Sequence, residues 1–233
     1  MENPKILVGA PIHEVKAYCY KDYCDILKKL TYKNYDILLA DNSPTDNFMN
    51  LIKKEGIPVI KGPYFEGAMD RIVASRNLIV EHLLNNDYDY FFSLEADVIP
   101  PIDAIERLLA HKKEIVSGLY FNFQILREGR KPAPMAWFNP TNNEKEMYYL
   151  PDEISLGPQK LIKLFACGLG CVLIHKNVLK NIRFRHKYPE HSGFDDVWFC
   201  KDAREQGYEI YLDNSIKCEH ITIPGGKWIG LKK

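Results

Sequence analysis

The chain has 233 residues, and its 31 lysine and arginine residues balance 31 aspartate and glutamate residues, so the formal net charge is zero. This length is enough for one large domain or two small ones with a substantial core. Hydrophobic residues make up 46% and charged residues 27% of the sequence, which excludes a chain of disordered composition. A protein that binds nucleic acid in bulk usually carries an excess of basic residues, so we expect no such partner.

Targeting signals and disulfide patterns are also missing from the sequence. Residues 1–9 pass from a polar start into a short apolar run, without the long hydrophobic region of a signal peptide. No stretch approaches the ~20 apolar residues that cross a bilayer, so we expect no transmembrane segment. The six cysteines are scattered, and none forms a C-x-x-C pair. These features predict a cytoplasmic protein with reduced, mostly buried thiols.

The first half of the chain alternates strand-like and helix-like segments. Compact apolar runs predict strands at residues 5–8, 35–40, 57–60, 88–94 and 114–121. Helical spacing of apolar residues predicts helices at residues 15–30, 45–55, 66–86 and 100–111. Such alternation is typical of parallel strands joined by crossover helices, so the sequence predicts an α/β fold.

The second half has a different pattern. Residues 122–163 carry several prolines and glycines and no sustained period, and the apolar run at residues 164–174 is interrupted by Gly168 and Gly170. A helix is predicted at residues 195–206 and a strand at residues 208–212. We therefore expect one domain with a substrate-facing insertion in its second half.

Ligands in open α/β sheets bind beyond the carboxyl ends of the strands, so the polar residues at those ends are the candidates for a site. They are Pro11, His13 and Glu14 after the first predicted strand, Asp41, Asn42 and Ser43 after the second, and Glu95 and Asp97 after the fourth. Asp41 is equally well explained by the local hydrogen bonding of a turn.

Glu95 and Asp97 form the most informative pair among these candidates. Side chains two residues apart in an extended chain point to the same side, so the two carboxylates would repel each other unless a cation lies between them. A hard divalent ion, Mg²⁺ or Mn²⁺, suits this arrangement and would bridge the protein to a phosphate. Two acids at this spacing are nevertheless common, and the pattern has little specificity by itself.

A series of short motifs, taken in order, resembles the GT-A glycosyltransferases, close to the large family 2 group. The motifs are residues 6–11 (ILVGAP), 41–43 (DNS), 74–77 (ASRN), 94–98 (LEADV, similar to the D-x-D metal motif), 167–171 (CGLGC), 193–196 (GFDD, similar to G-x-E-D) and His220. The sequence departs from the usual pattern at Glu95, where the first Asp of the metal motif is expected, and at Asp195, where Glu is common.

The resemblance implies a Rossmann-like GT-A fold: a mixed, mostly parallel sheet flanked by helices, with an insertion on the acceptor side. Residues 1–121 would form the half that binds the nucleotide sugar, and residues 122–233 the half that binds the acceptor and carries out catalysis. The donor would be a nucleoside-diphosphate sugar, UDP- or GDP-linked. The acceptor would be a hydroxyl of a carbohydrate, a lipid or a protein.

The resemblance also implies roles for individual residues. Those expected to contact the donor are Pro11 and His13 at the base, Asp41 at the base or ribose, Arg71 or Arg76 at the base or phosphate with Asn77 nearby, and Glu95 at the ribose or the metal. Asp97 and His220 would hold the divalent metal, with Glu95 as a further candidate ligand. Asp196 would be the catalytic base, supported by Asp195.

These roles suit the chemistry of glycosyl transfer. The metal neutralises charge on the leaving diphosphate, and a carboxylate takes the proton of the attacking hydroxyl, helped by a like-charged neighbour that raises its proton affinity. A single displacement of this kind inverts the anomeric centre. Three alternatives remain: a retaining transferase, exchanged roles for Asp195 and Asp196, and a non-catalytic nucleotide- or sugar-binding module.

Two further enzyme classes fit the sequence poorly. A nucleotidyltransferase would be expected to carry a basic, glycine-rich loop after its first strand, but residues 9–13 (GAPIH) hold one glycine and no lysine or arginine. The G-x-G-x-x-G motif of dinucleotide-dependent oxidoreductases is also missing from this loop.

Overall fold

The computed structural model describes residues 3–127, 129–141, 143, 146–158, 160–188, 191–223 and 226–228. The helices are α1 (Tyr20–Lys29), α2 (Asn47–Lys54), α3 (Ala68–Leu84), α4 (Ala104–Ala110), α5 (Asp152–Ser155), α6 (Lys176–Asn181) and α7 (Asp195–Glu205), and a 3₁₀ turn lies at Glu14–Lys16. The strands of the first half are β1 (Ile6–Ile12), β2 (Tyr35–Asp41), β3 (Val59–Lys61), β4 (Tyr90–Leu94), β5 (Val98–Ile99), β6 (Ile115–Leu119) and β7 (Phe121–Leu126). The later strands are β8 (Gly129–Pro134), β9 (Ala136–Phe138), β10 (Tyr148–Tyr149), β11 (Ile162–Leu164), β12 (Ala166–Cys167), β13 (Cys171–His175), β14 (Lys187–Tyr188), β15 (His191–Ser192), β16 (Ile210–Lys217), β17 (Glu219–Ile223) and β18 (Gly226–Trp228).

The central sheet has eight strands within the described part of the chain, in the order β11-β16-β6-β13-β4-β1-β2-β3. Strands β4, β1, β2 and β3 pair in parallel, as do β16 and β6. Strand β13 lies antiparallel between β4 and β6, and β11 is antiparallel to β16. The prediction of a mixed, mostly parallel sheet flanked by helices is confirmed.

The sheet is covered on both faces, which explains why its strands are continuous apolar runs rather than alternating ones. Successive residues of β1 point to opposite faces, so Leu7 packs in one core cluster while Ile6 and Val8 pack in the other. Helix α3 covers the first face with Ile79, and Phe91 of β4 packs in the same cluster. The core therefore lies in two layers on either side of the sheet.

Two helices end at a glycine with a left-handed backbone conformation. Gly56 follows α2 and Gly207 follows α7, and both have positive φ angles, of 76° and 83°, which glycine adopts without steric cost. Helix α1 is shorter than predicted, because the chain after β1 first forms the 3₁₀ turn at Glu14–Lys16 and the α-helix begins only at Tyr20.

The insertion has more regular structure than its sequence predicts. Strands β7 and β8 form an antiparallel hairpin, and β10, β9 and β12 form a small antiparallel sheet. Strand β8 is hard to predict because it contains Pro132 and Pro134. Proline has no backbone N–H to donate to a neighbouring strand and is therefore confined to the edges of sheets. The apolar run that contains Gly168 and Gly170 is split by them into β12 and β13.

A small sheet with the order β18-β17-β5 pairs strands from the two halves of the chain next to Asp97. Strand β5, which follows Asp97, pairs antiparallel with β17, and His220 lies opposite Val98. The backbone N–H of Ile221 also donates to the carbonyl of Asp97 at 2.8 Å. This pairing places His220 beside Asp97.

All six cysteines are buried and free, which agrees with the expectation of reduced, buried thiols. Among the residues described, no helix combines the length and the apolar composition that crossing a membrane requires.

Candidate active site

A cavity of about 440 Å³ opens at the carboxyl ends of β1 and β4. Both halves of the chain contribute to its wall. The residues singled out from the sequence that line it are Pro11, His13, Arg71, Arg76, Glu95, Asp97, Asp195, Asp196 and His220. The fold thus brings together side chains that are more than 200 positions apart in the sequence, as the strand-end rule leads one to expect.

Two candidates lie away from the cavity wall and hold local structure instead. Asp41 is fully buried, accepts hydrogen bonds from the backbone N–H and the hydroxyl of Ser43, and lies 3.0 Å from the Lys61 ammonium. Asn77 is bonded through its amide to both backbone groups of Phe184, each at 2.9 Å. Turn chemistry accounts for the contacts of Asp41 and loop anchoring for those of Asn77, and the predicted contact of these two residues with the donor stays a prediction.

Asp97 and His220 form a nearly buried pair on the cavity wall. The His220 Nε2 atom lies 3.1 Å from Asp97 Oδ2, and the His220 Nδ1 atom lies 2.6 Å from the carbonyl oxygen of Phe121. A carbonyl oxygen can only accept, so Nδ1 carries a proton and Nε2 is the nitrogen turned toward the carboxylate. This places one nitrogen and one carboxylate oxygen side by side.

The charges around this pair keep Asp97 ionised. Burial raises the pKa of Asp97, but the hydrogen bond from His220 and the positive charge of Lys16 outweigh burial and lower that pKa to about 2. Burial lowers the pKa of His220, but its hydrogen bond to Asp97 outweighs that effect, and the net pKa is raised. Asp97 is therefore negatively charged at neutral pH and can bind a cation.

Lys16 is a residue of the site that sequence reasoning missed. Its ammonium forms an ion pair with Asp97 Oδ2, and its side chain lines the cavity. Residues 15–30 were predicted as one helix, and this obscured the 3₁₀ turn that directs Lys16 toward the cavity. The signal that could have found it is its position, four residues beyond the end of β1.

The donor set of the pair fits a divalent metal. Asp97 offers a carboxylate oxygen and His220 an imidazole nitrogen whose other ring nitrogen is held by a carbonyl, which is the usual support of a metal-binding histidine. The described residues contain no cluster of three or more His, Cys, Asp or Glu side chains that could hold a metal by themselves. Asp97 and His220 are thus the two described side chains that would hold such an ion.

Arg76 organises the acidic side of the cavity. It is 1% exposed, and its guanidinium donates to Asp195 Oδ2 at 3.0 Å, Glu95 Oε1 at 2.9 Å and Ser93 Oγ at 2.8 Å. These three hydrogen bonds direct the guanidinium to protein oxygens, and the predicted contact of Arg76 with the base or phosphate of a donor stays a prediction. Glu95 is held by the same guanidinium through its Oε1 atom.

Asp196 differs from its neighbour Asp195 in its partners. Both aspartates line the cavity, but Asp195 is paired with Arg76, whereas Asp196 accepts the backbone N–H of Val197 at 2.7 Å. Burial raises the pKa of Asp196 to about 7, and the negative charge of Asp195 acts in the same direction. A carboxylate with this pKa can accept a proton near neutral pH.

His13 and Arg71 also line the cavity; His13 directly follows β1, and Arg71 lies in the first turn of α3. His13 Nδ1 accepts the N–H of Val15 at 3.2 Å, and burial together with the charge of Arg71 lowers the pKa of His13. Arg71 donates to the carbonyl oxygens of Phe65 and Glu66, which holds the loop before α3 and leaves the arginine charge beside the cavity.

Two exposed apolar residues lie at the cavity mouth and were not singled out from the sequence. Phe194 is 68% exposed and Val15 is 67% exposed, and both line the cavity. Phe194 directly precedes the two aspartates of α7, so the GFDD motif contains the signal that could have identified it. Both side chains are therefore accessible to a molecule that enters the cavity.

Comparison with known proteins adds information at the level of the fold. Sequence comparison finds no matching family model and no matching curated protein. Among solved structures, GalNAc-T7 with UDP, GalNAc and Mn²⁺ is similar with a TM-score of 0.68 and 13% identity, over 98% of this chain and 46% of that one. S. aureus TarS has a TM-score of 0.56 and 11% identity, over 90% of this chain and 34% of that one.

A third similar structure is A197 from STIV, with a TM-score of 0.50 and 17% identity over 98% of this chain and 95% of that one. The chain thus spans nearly the whole of A197 but less than half of TarS and of GalNAc-T7. At these identities the likeness concerns the fold. The chain has the GT-A fold that its motifs led us to expect.

Proposed function

We propose that the protein is a metal-dependent glycosyltransferase that moves a sugar from a nucleoside-diphosphate sugar to an acceptor hydroxyl. The observation that carries this proposal is that the Asp97–His220 pair and Asp196 line one cavity at the strand ends of a GT-A fold. The fold neighbour GalNAc-T7 is a structure with UDP, GalNAc and Mn²⁺, which supports a nucleotide-sugar donor and a divalent ion here.

The donor would enter along the ends of β1 and β2. Pro11, His13 and Asn42 line the cavity there, and Asn42 is fixed by a hydrogen bond from its amide to Ser75 Oγ at 3.2 Å. Arg71 supplies positive charge on the same wall. These contacts are few and suit a UDP-linked and a GDP-linked sugar equally well.

Asp97 and His220 would hold Mn²⁺ or Mg²⁺. When bound, the ion would supply Lewis-acid neutralisation of the charge that develops on the leaving diphosphate. The protein's own contribution is to keep Asp97 anionic and to orient His220 through the carbonyl of Phe121. Glu95, which the resemblance offered as a third ligand, would instead serve to orient Arg76.

Asp196 would take the proton of the acceptor hydroxyl as that oxygen attacks the anomeric carbon. Its pKa of about 7 leaves it partly ionised at neutral pH, while burial makes it a stronger base than an exposed carboxylate. Asp195 would be a positioning residue that is locked by Arg76 at the start of α7. A single displacement assisted by this base inverts the configuration of the sugar.

The acceptor would approach past Phe194, since this residue lies at the mouth of the cavity and two positions before Asp196. An aromatic face next to the base suits the apolar face of a sugar ring or an apolar aglycone. Residues 122–233 would thus recognise the acceptor, and residues 1–121 the donor.

The binding part of this proposal can be tested with a thermal-shift panel of UDP, GDP, CMP and TDP, each with and without Mn²⁺. A ligand that binds only the folded state raises the melting temperature. We expect one diphosphate to raise it in an Mn²⁺-dependent manner, and we expect D97N to lose that dependence. The matched control is D25N, which removes a carboxylate from the exposed face of α1. If no nucleotide shifts the wild type in any condition, the proposal is wrong.

A further inference from the structure

The Lys16 ammonium and the His220 imidazole meet at the same oxygen. Lys16 Nζ forms its ion pair with Asp97 Oδ2, and this is the atom that lies 3.1 Å from His220 Nε2. The carboxylate oxygen nearest the histidine nitrogen is therefore already in contact with a positive charge that belongs to the protein.

An ammonium and a divalent cation cannot share this oxygen at close range. Like charges at contact distance repel strongly, and Asp97 is nearly buried, so solvent screens that repulsion poorly. A metal that binds Oδ2 of Asp97 together with His220 would therefore favour the departure of Lys16 from that oxygen. The free energy of the Lys16–Asp97 pair opposes the binding of the metal alone.

The backbone around Lys16 is anchored, so this displacement would involve only the side chain. The Glu14 N–H donates to Ser43 Oγ at 2.8 Å, and the Ala17 N–H closes the 3₁₀ turn onto the Glu14 carbonyl at 2.9 Å. The Lys16 side chain itself is 37% exposed and lines the cavity. A lysine ammonium on a flexible stem can change partners within the cavity without a change of fold.

A diphosphate in the cavity would give the displaced ammonium a new anionic partner. Arg76 is directed to Glu95, Asp195 and Ser93, and Arg71 to the carbonyls of Phe65 and Glu66. Lys16, by contrast, is held by the carboxylate that the metal would take over. The charge released from Asp97 is thus available to the phosphates at the moment when the metal arrives.

We propose that Lys16 is an exchangeable counter-cation. Its ion pair with Asp97 weakens the binding of free divalent metal, and its ammonium pairs with the diphosphate instead when metal and nucleotide bind together. Both parts of this inference rest on the proposed function: the metal part rests on the Asp97–His220 site alone, and the nucleotide part rests on the donor. The consequence is coupling between the two ligands, since each makes the site more favourable for the other.

The test is isothermal titration calorimetry on the full chain with Mn²⁺ alone, UDP or GDP alone, and each nucleotide with saturating Mn²⁺. The variant K16M removes the ammonium and keeps a stem of similar length. The matched control K21M removes the same charge from an exposed position of α1. The variant K16R keeps the charge, and thermal melting of each variant reports its folding.

We expect K16M to bind Mn²⁺ alone about tenfold more tightly than the wild type, K16R and K21M, which corresponds to ~1.4 kcal/mol. We also expect K16M to bind the nucleotide with Mn²⁺ about tenfold more weakly and the nucleotide alone with unchanged affinity, so that the coupling between metal and nucleotide falls by about tenfold. Unchanged or weaker Mn²⁺ binding by folded K16M overturns the inference. If the wild type binds neither nucleotide in the presence of Mn²⁺, the proposed function fails, and the Mn²⁺ titrations still decide the role of Lys16.

Discussion

Arg76 Nε lies 3.0 Å from Asp195 Oδ2, and this contact joins helix α3 to the first turn of α7 across 119 positions of sequence. The same guanidinium binds Glu95, which directly follows β4. One buried cation therefore fixes the two acidic segments of the cavity relative to each other. Asp196, the next residue along α7, remains directed into the cavity with a raised pKa.

The first prediction concerns the base and its pH dependence. Asp196 has a pKa of about 7 and must be ionised to accept a proton, so turnover should rise with pH through about 7 and level off above it. D196N should lower kcat by about 10²- to 10⁴-fold and leave nucleotide binding intact. Steady-state kinetics from pH 5.5 to 9 measure both effects. If D195N loses turnover while D196N keeps it, the two roles must be exchanged.

The second prediction concerns the stability cost of the raised pKa. The folded state of Asp196 holds its proton up to about pH 7, whereas an ordinary aspartate in the unfolded chain releases it near pH 4. Between these values the folded state binds more protons, so this group makes folding less favourable as the pH rises. D196N should therefore be more stable than the wild type at pH 8 by about 1 to 4 kcal/mol, with no such gain at pH 4. Urea denaturation at both pH values checks this, and equal stability at pH 8 would contradict it.

The third prediction concerns Arg76 itself. R76M leaves Glu95 and Asp195 without their buried counter-cation, and we expect a loss of about 3 kcal/mol in the free energy of unfolding. The control K29M breaks an exposed ion pair between neighbouring turns of α1, where the cost should be below about 0.5 kcal/mol. Urea midpoints measure both, and equal midpoints for R76M and K29M would show that Arg76 does not hold the two acidic segments.

The fourth prediction concerns His220. H220Q keeps a polar side chain of similar length but removes the imidazole nitrogen next to Asp97. We expect nucleotide binding in the presence of Mn²⁺ to weaken by at least about tenfold, while binding without Mn²⁺ stays the same. The matched control is H82Q, on α3, where the predicted effect is none. A weakening that is the same with and without Mn²⁺ would mean that His220 serves packing rather than metal binding.

The fifth prediction concerns Gly170, where the backbone approaches Tyr120. A Cβ atom at this position would lie 2.7 Å from Tyr120 Cζ and 2.9 Å from Val98 Cγ2, so the neighbours would have to move. G170A should cost about 1 to 3 kcal/mol of stability. In a Y120A background the same substitution should cost less, and a double-mutant cycle measures the difference. Full additivity would contradict the close approach of these two residues.

The sequence predicts the fold well where apolar runs and their spacing carry the information. The strands at 5–8, 35–40 and 88–94 were recognisable because they are buried on both faces, and the helix at 66–86 because its apolar stripe is long. Strands β5 and β17 escaped recognition, because two to five residues show no clear period. Yet the antiparallel pairing of β5 with β17 is what places His220 beside Asp97.

The site is predictable in its residue types but not in the partners of each residue. An arginine at position 76 suits a phosphate as well as a pair of carboxylates, and nothing in the local sequence shows that Asp195 lies in contact with it. The same holds for Asp41. Its carboxylate oxygens could accept hydrogen bonds from Ser43 in a turn or from a bound nucleotide sugar, and the sequence does not distinguish the two. Lys16 and Phe194 face the cavity because of the path of their loops, which propensity and periodicity do not encode.

The most direct test of the proposed activity is the release of nucleotide from UDP- and GDP-linked sugars in the presence of Mn²⁺, with water or an added sugar as the accepting hydroxyl. We expect the wild type to release one nucleoside diphosphate, and we expect release to stop with D196N, with H220Q and after removal of the metal by a chelator. A protein that binds the nucleotide and Mn²⁺ but releases no diphosphate from any donor would contradict the transferase assignment and indicate a non-catalytic binding module.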